Sequence, residues 1–324
     1  MNKRAIGNLK VSEIGLGCMG YSHGYGPTPE DNTSIKLIQK AYDYGCTFFD
    51  TAEAYGQGHN ESLVGEAIKE FRENITLATK YLIPELPNDK KEAEKVIRKH
   101  LYDSMERLQT DYIDLYYEHR RSNIPIEWTS EIMGKFIDEG LIKGWGMSQV
   151  NADTIKKAQE TTPITAIQSE YSIMERMFEK EVIPLCEKLN IGFVPFSPLA
   201  SGFLSGVYKK PSEYIGDDVR RVITRYKETN QKQNQPILDV VKEFSERKNC
   251  SMAQISLAWI LARNEHIVPI PGSKKYDIMI ENFDACTIKL TKKEYEEFNE
   301  KLNPLKIYGN RTGEDIAKLK YLDK

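Results

Sequence analysis

The chain has 324 residues, 40% of them hydrophobic and 29% charged, with a formal net charge of −3. That near-balance excludes a general affinity for nucleic acid or anionic membranes and leaves small molecules as the expected partners. The apolar content suffices for a large core, and the length fits one α/β barrel domain, which runs to about 250 residues or more. Five cysteines, Cys18, Cys46, Cys186, Cys250 and Cys286, are dispersed without a C-x-x-C pair and read as reduced thiols, so a cytoplasmic location is expected. The opening M-N-K-R-A-I-G-N-L-K lacks an apolar run, so no signal peptide is expected. The most apolar helical stretch, Ile255–Ala262, is too short to span a bilayer, and no metal-ligand spacing such as H-E-x-x-H occurs.

In chain order, Gly7-Asn8 between short extended segments predicts a hairpin that plugs one end of a barrel. The first buried strand is Ile14–Met19, followed by Gly20–Pro29, rich in Gly, Pro and aromatics, which reads either as a surface loop or as a substrate-facing one. Further strands are predicted at Cys46–Asp50, Ile75–Lys80, Ile113–Glu118, Ile142–Met147, Ala166–Glu170, Ile191–Phe196 and Ile267–Ile270. Between them helical periodicity marks a segment from about Glu30 to Gly45, then Glu61–Phe71, Asp89–Leu108, Trp128–Glu139, Ala152–Glu160, Glu179–Leu189, Pro236–Lys248, Ser251–Arg263 and Ser273–Phe283. Thr291–Leu302 is an additional C-terminal helix, with Thr291 and Glu294 in capping-box spacing. The polar insertion Ala200–Gln235 is long enough to be functional, and it is expected to close over a cofactor. Eight strands alternating with helices, and no G-x-G-x-x-G after the first strand, predict a (β/α)8 TIM barrel over residues 1–324.

Polar residues end nearly every strand, and in such barrels the loops at the C-terminal strand ends build the site. Asp50, Tyr55, Lys80 and His119 would share that mouth. A free phenol has a reference pKa near ~10 and is a poor acid at neutral pH. A lysine charge at ~4 Å, at an effective dielectric of ~20, supplies about 4 kcal/mol, enough to lower a phenol by two to three units. Asp50 would keep Lys80 charged, and His119, beside Arg120 and Arg121, could bond an incoming carbonyl oxygen or join the proton path. Each residue also has an ordinary role available, as helix cap, surface lysine or solvated loop. Their joint position at consecutive strand ends favours protonation of a carbonyl oxygen while hydride reaches its carbon.

The second half of the chain offers groups for a hydride donor. Ser148, Gln149 and Gln168 suit a nicotinamide carboxamide, and Phe196 could stack on its ring. Ser197, Pro198, Leu199, Ser201 and Gly202 offer hydroxyls and backbone N–H groups for a pyrophosphate. Gly272, Ser273, Lys274 and Lys275, after the eighth strand, would form a phosphate monoester site at a helix start, which favours NADPH over NADH.

These stretches resemble the aldo-keto reductase superfamily along essentially the whole chain. The resemblance is carried by V-S-E-I-G-L-G-C-M-G, F-F-D-T-A-E-A-Y-G, L-A-T-K, D-L-Y-Y-E-H-R, G-W-G-M-S-Q, Q-S-E-Y-S, F-S-P-L-A-S-G-F-L-S-G and I-P-I-P-G-S-K-K. It implies NADPH-dependent reduction of aldehydes or ketones, with a catalytic tetrad at Asp50, Tyr55, Lys80 and His119 and Tyr55 as proton donor. It further implies nicotinamide contacts at Ser148, Gln149, Gln168 and Phe196, phosphate contacts near Ser273, Lys274 and Lys275, and adenine contacts at Glu281 and Asn282. Two positions depart from the family pattern. Ile278 stands where many members carry an arginine for the 2′-phosphate, and Phe196 stands where Tyr or Trp is common. The alternatives are a cofactor-binding regulatory module and an aldolase-like barrel with Lys80 as a Schiff base. The acid beside Lys80 opposes the second. Tyr21, His23, Trp128 and the insertion are the expected substrate-pocket residues; the sequence leaves the substrate and the oligomeric state open.

Overall fold

The computed structural model describes residues 1–83 and 87–317. An antiparallel hairpin, β1 (Lys3–Ile6) and β2 (Leu9–Ser12), opens the chain. It is followed by β3 (Leu16–Gly17), α1 (Asp31–Asp43), β4 (Phe48–Asp50), α2 (His59–Ile68) and β5 (Thr76–Tyr81). Then come α3 (Lys90–Leu108), β6 (Leu115–Glu118), α4 (Ile126–Asp138), β7 (Trp145–Ser148), α5 (Ala152–Thr161) and β8 (Ala166–Glu170). The chain continues through α6 (Val182–Lys188), β9 (Gly192–Phe196), α7 (Glu228–Gln233), α8 (Gln235–Arg247) and α9 (Met252–Arg263). It ends in α10 (Tyr276–Asp284), α11 (Lys292–Leu302) and α12 (Gly313–Ala317).

The strands β3 to β9 form one parallel sheet in sequence order, the arrangement of a (β/α)8 barrel with extra helices. The eighth segment is not the regular strand expected over Ile267–Ile270. Val268 and Ile270 donate to the carbonyls of Phe193 and Pro195, both at 3.0 Å, while Gly15 and Gly17 donate to Pro269 and Pro271 at 3.0 and 3.3 Å. Pro269 and Pro271 have no N–H to return toward β3, so that side is bonded in one direction only. The segment still closes the barrel. A Cβ on Gly272 would stand 2.6 Å from the Gly17 carbonyl oxygen, so only glycine permits this approach of the last segment to the first.

Side chains alternate along each strand. Phe48, Ala78, Leu115, Tyr117, Ala166, Val194, Val268 and Ile270 pack together inside the barrel with Ile6, Leu9 and Val11 of the hairpin, which plugs that core as expected. The opposite parity faces the helices and forms a second, larger core. Two residues beyond Phe48 stands Asp50, and two beyond Ala78, Tyr117 and Ala166 stand Lys80, His119 and Gln168. The period of two therefore carries the apolar interior outward into a polar layer.

Helix ends differ where local chemistry decides them. The second predicted helix breaks after Ile68 into a 3-10 segment, Lys69–Asn74, in which Phe71 is non-helical. The sixth starts at Val182, and the eighth at Tyr276 with Lys275 as a cap that makes no side-chain bond, so Ser273 and Lys274 precede the helix. Thr291 and Glu294 do form the capping box. Within the Ala200–Gln235 insertion four short 3-10 segments and α7 order the chain, with Val219, Ile223 and Tyr226 buried. Among the described residues no helix is long and apolar enough to cross a membrane.

Candidate active site

Lys80, at the end of β5, is fully buried. Its ammonium donates to Asp50 Oδ1 at 2.5 Å, to the Thr51 carbonyl at 2.6 Å and to the Tyr55 hydroxyl at 3.3 Å. Three N–H groups thus meet three acceptors, and the charge is matched by one carboxylate. Burial alone would lower the Lys80 pKa, but Asp50 and then Tyr55 overcome it and hold the group above its ordinary value. The other Asp50 oxygen, Oδ2, accepts from Gln168 Nε2 at 2.7 Å, so the acid is bonded on both sides.

Tyr55 is half-buried in the loop after β4. His119 meets it edge to face, with ring centroids 5.6 Å apart. Burial, helped by the positive charges of Lys80 and Arg120, drives the His119 pKa down to about 2, so its imidazole is neutral. Its Nδ1 is buried and has no partner among the described residues. A phenol touching a buried cation, beside a neutral imidazole with an unused ring nitrogen, can hold and donate a proton at one point above the barrel.

The predicted cofactor residues line the adjoining strand ends. Ser148 Oγ accepts from Arg120 at 3.1 Å. Gln149 has a left-handed backbone, φ 58°, and its Oε1 accepts from the Glu170 N–H at 3.1 Å. Phe196 is half-buried, with the Arg311 guanidinium 5.4 Å from its ring centroid. After it, Ser197, Ala200, Ser201 and Gly202 all have positive φ, while Pro198 and Leu199 lie between them. Three non-glycine residues in that region within a few positions are a strained turn, the kind held at ligand sites.

The phosphate candidates separate. Lys274 Nζ donates to the carbonyls of Tyr25 and Pro27, at 2.7 and 2.9 Å, and so anchors the Gly20–Pro29 loop. The Ser273 hydroxyl turns back to the Lys275 backbone. The Lys275 side chain is exposed, and its ammonium has no partner among the described residues. On α10, Glu281 is half-buried, and Asn282 is buried with its Oδ1 unpartnered among the described residues.

Of the expected pocket residues, Tyr21 is a core residue, Trp128 packs partly buried on the main core, and His23 pairs with Asp217 of the insertion at 2.9 Å. Asp217 also accepts from the N–H groups of Gly24 and Gly26, at 2.6 and 3.1 Å, and straps the insertion to the loop after β3. Sequence reasoning did not single out Asp217, Arg225 or Arg311. Their signals, acids and arginines within an already polar stretch, do not differ from a solvated surface until the chain is folded.

A parallel barrel whose polar strand ends surround a buried acid–lysine pair and a phenol defines a barrel enzyme. Residues 13–303 match the Aldo/keto reductase family. The chain is 37% identical over 309 residues to probable aldo-keto reductase 1 of Glycine max, covering 94% of this chain and 89% of the relative. It is 36% identical over 318 residues to the aldo-keto reductase yakc of Schizosaccharomyces pombe, a protein named for NADP(+), covering 95% and 93%. The holo form of an aldo-keto reductase from Bacillus halodurans superposes with a TM-score of 0.74 at 27% identity, covering 93% of this chain and 96% of that one. The chain belongs to the aldo/keto reductase family and is an NAD(P)H-dependent oxidoreductase of that type.

Proposed function

We propose that the protein reduces aldehyde or ketone groups of small molecules to alcohols with NADPH, and that Tyr55 supplies the proton. The observation that carries this reading is the single contact set Asp50–Lys80–Tyr55, with a neutral His119 against the phenol. Lys80 stabilises the phenolate left behind, Asp50 and the Thr51 carbonyl fix Lys80, and His119 orients the carbonyl oxygen without competing for the proton. The saturated, charged Lys80 disfavours a Schiff-base role, which needs a free neutral amine.

NADPH, when bound, supplies the hydride. The residues fit it on three observations among the described residues: the unpartnered Asn282 Oδ1, the left-handed Ser197, Ala200, Ser201 and Gly202, and the exposed, unpaired Lys275 ammonium. Ser148, Gln149 and Gln168 would hold the carboxamide, Phe196 the ring, Ser197 to Gly202 with Gly272 the pyrophosphate side, Ser273 and Lys275 the phosphate monoester, and Glu281 and Asn282 the adenine. Lys274 serves indirectly through the loop it anchors. The NADP(+) in the name of the yakc relative supports the preference. Residues 1–324 act as a single barrel domain in this reading, and the insertion strapped by Asp217 closes over the cofactor. The substrate reaches the site from solution in the cytoplasm.

The test is NADPH oxidation with aromatic aldehydes, α-dicarbonyls and pyridoxal, beside NADH and the Tyr55→Phe variant. Turnover with NADPH that collapses in the variant supports the reading. Tight NADPH binding without turnover on any carbonyl would leave a cofactor-binding module, and turnover that survives in Tyr55→Phe would remove Tyr55 from the proton path.

A further inference from the structure

The C-terminal tail beyond α11 is pinned over the barrel mouth. Asn234 grips the Tyr308 backbone at both ends, its Oδ1 taking the N–H and its Nδ2 reaching the carbonyl, at 2.9 Å each. Thr224 Oγ1 bonds Asn310 Oδ1 at 2.7 Å, and the Arg225 N–H donates to the Asn310 carbonyl at 3.2 Å. Gly309, with φ +76°, lies so close that a Cβ would come within 2.6 Å of the Arg225 nitrogen. This clamp delivers the next residue, Arg311, to Phe196, with its Nη1 4.0 Å from Glu170 Oε2 and its Nε buried without a hydrogen-bond partner among the described residues.

The Arg311–Glu170 ion pair is long, at 4.0 Å, and Glu170 is shared. Glu170 already bonds the fully buried Arg225 at 3.0 Å, and Glu175 stands 3.8 Å from the same guanidinium. Across the mouth, Arg120 donates to the His119 carbonyl and to Ser148 and has no carboxylate partner among the described residues. Arg120 and Arg311 act on each other as like charges, and Tyr55 lies within the field of Arg120. Arg120, Arg225 and Arg311 against Glu170 and Glu175 leave one positive charge beside the proton donor. One uncompensated, partly desolvated guanidinium charge is matched by a monoanion, and a planar carboxylate suits the guanidinium fork.

We propose that Arg311, together with Arg120, binds a carboxylate carried by the carbonyl substrate, so that preferred substrates are formyl- or keto-carboxylates. This rests on the carbonyl-reductase reading and names its substrate class. The carboxylate lies between the tail and the strand-six mouth, away from the carbonyl that faces Tyr55 and His119.

The experiment compares 4-oxobutanoate and 4-formylbenzoate with their methyl esters, using the full chain and NADPH. At least one acid is expected to exceed its ester in kcat/KM by about tenfold or more, through KM, the size of one charge-assisted hydrogen bond. Arg311→Gln and Arg120→Gln each bring the acid-to-ester ratio toward one, a readout that general loss of activity does not move. Esters reduced as well as the acids, or a preference that survives Arg311→Gln, overturn the proposal while the reductase reading stands. No reduction of any of the four compounds, while aromatic aldehydes, α-dicarbonyls or pyridoxal are reduced, overturns this proposal alone; failure on all of these carbonyls overturns the reductase reading with it.

Discussion

Gln168 donates to Asp50 Oδ2 at 2.7 Å across the barrel, opposite the 2.5 Å bond from Lys80 to Oδ1. One buried acid thus joins the strand ends of the first half, proposed to carry the proton chemistry, to those of the second half, proposed to face the cofactor. Replacing Gln168 by Met removes a hydrogen bond to a buried charge. The expected loss is about 1.5–3 kcal/mol of stability, read from urea unfolding. NADPH affinity, read by fluorescence quenching, is expected to fall as well.

Lys80→Met leaves Asp50 buried and unpaired and is expected to cost about 3–5 kcal/mol. Adding Asp50→Asn should return much of that loss, because the residual cost is the stranded charge and not the missing contact. Unfolding of the two single variants and the double variant measures the cycle; additive losses would contradict the coupling. Activity is expected to stay lost in Lys80→Met and in the double variant, since no ammonium then meets Tyr55.

The Tyr55→Phe variant keeps the ring against His119 and removes only the hydroxyl. A fall in kcat of about 10²–10⁴ with NADPH binding retained is expected, the usual scale for a positioned proton donor. Single-turnover kinetics separates this from slowed product release.

His119 has its folded pKa pushed down to about 2, against an ordinary value near ~6.5. Between those values the unfolded chain binds the proton and the folded chain does not. The contribution of His119 to stability is therefore present above pH ~6.5 and is lost as pH falls toward ~2, by at most about 1.4 kcal/mol per pH unit. His119→Asn should flatten the acid limb of an unfolding series accordingly. The pH profile of kcat should show no inflection near ~6.5 that disappears in this variant.

The two lysines after the eighth segment should behave differently. Lys275→Ala is expected to weaken NADPH several-fold and leave NADH unchanged, because its exposed charge has no other partner among the described residues. Lys274→Ala should weaken both nucleotides alike, because it releases the carbonyls of Tyr25 and Pro27 and loosens the loop that Asp217 straps. Equal NADPH-to-NADH ratios in the two variants would contradict this division. Limited proteolysis of the insertion, with and without NADPH, reads the same loosening.

The sequence by itself determined the alternation of strands and helices, the hairpin plug and the strand-end placement of Asp50, Lys80, His119 and Gln168. Those features are local: a period of two, a period of 3.6 and a polar residue where an apolar run stops leave marks in any short window. Only the tertiary structure decided that Pro269 and Pro271 make the closing segment irregular, that Lys274 holds a loop, and that Gln168 is bonded to Asp50. It alone brought Asp217 to Gly24 and Arg311 to Phe196. These are pairings between residues far apart in the chain. Each residue alone has the composition of an ordinary loop, and its partner is chosen by barrel closure and desolvation, which no local pattern records.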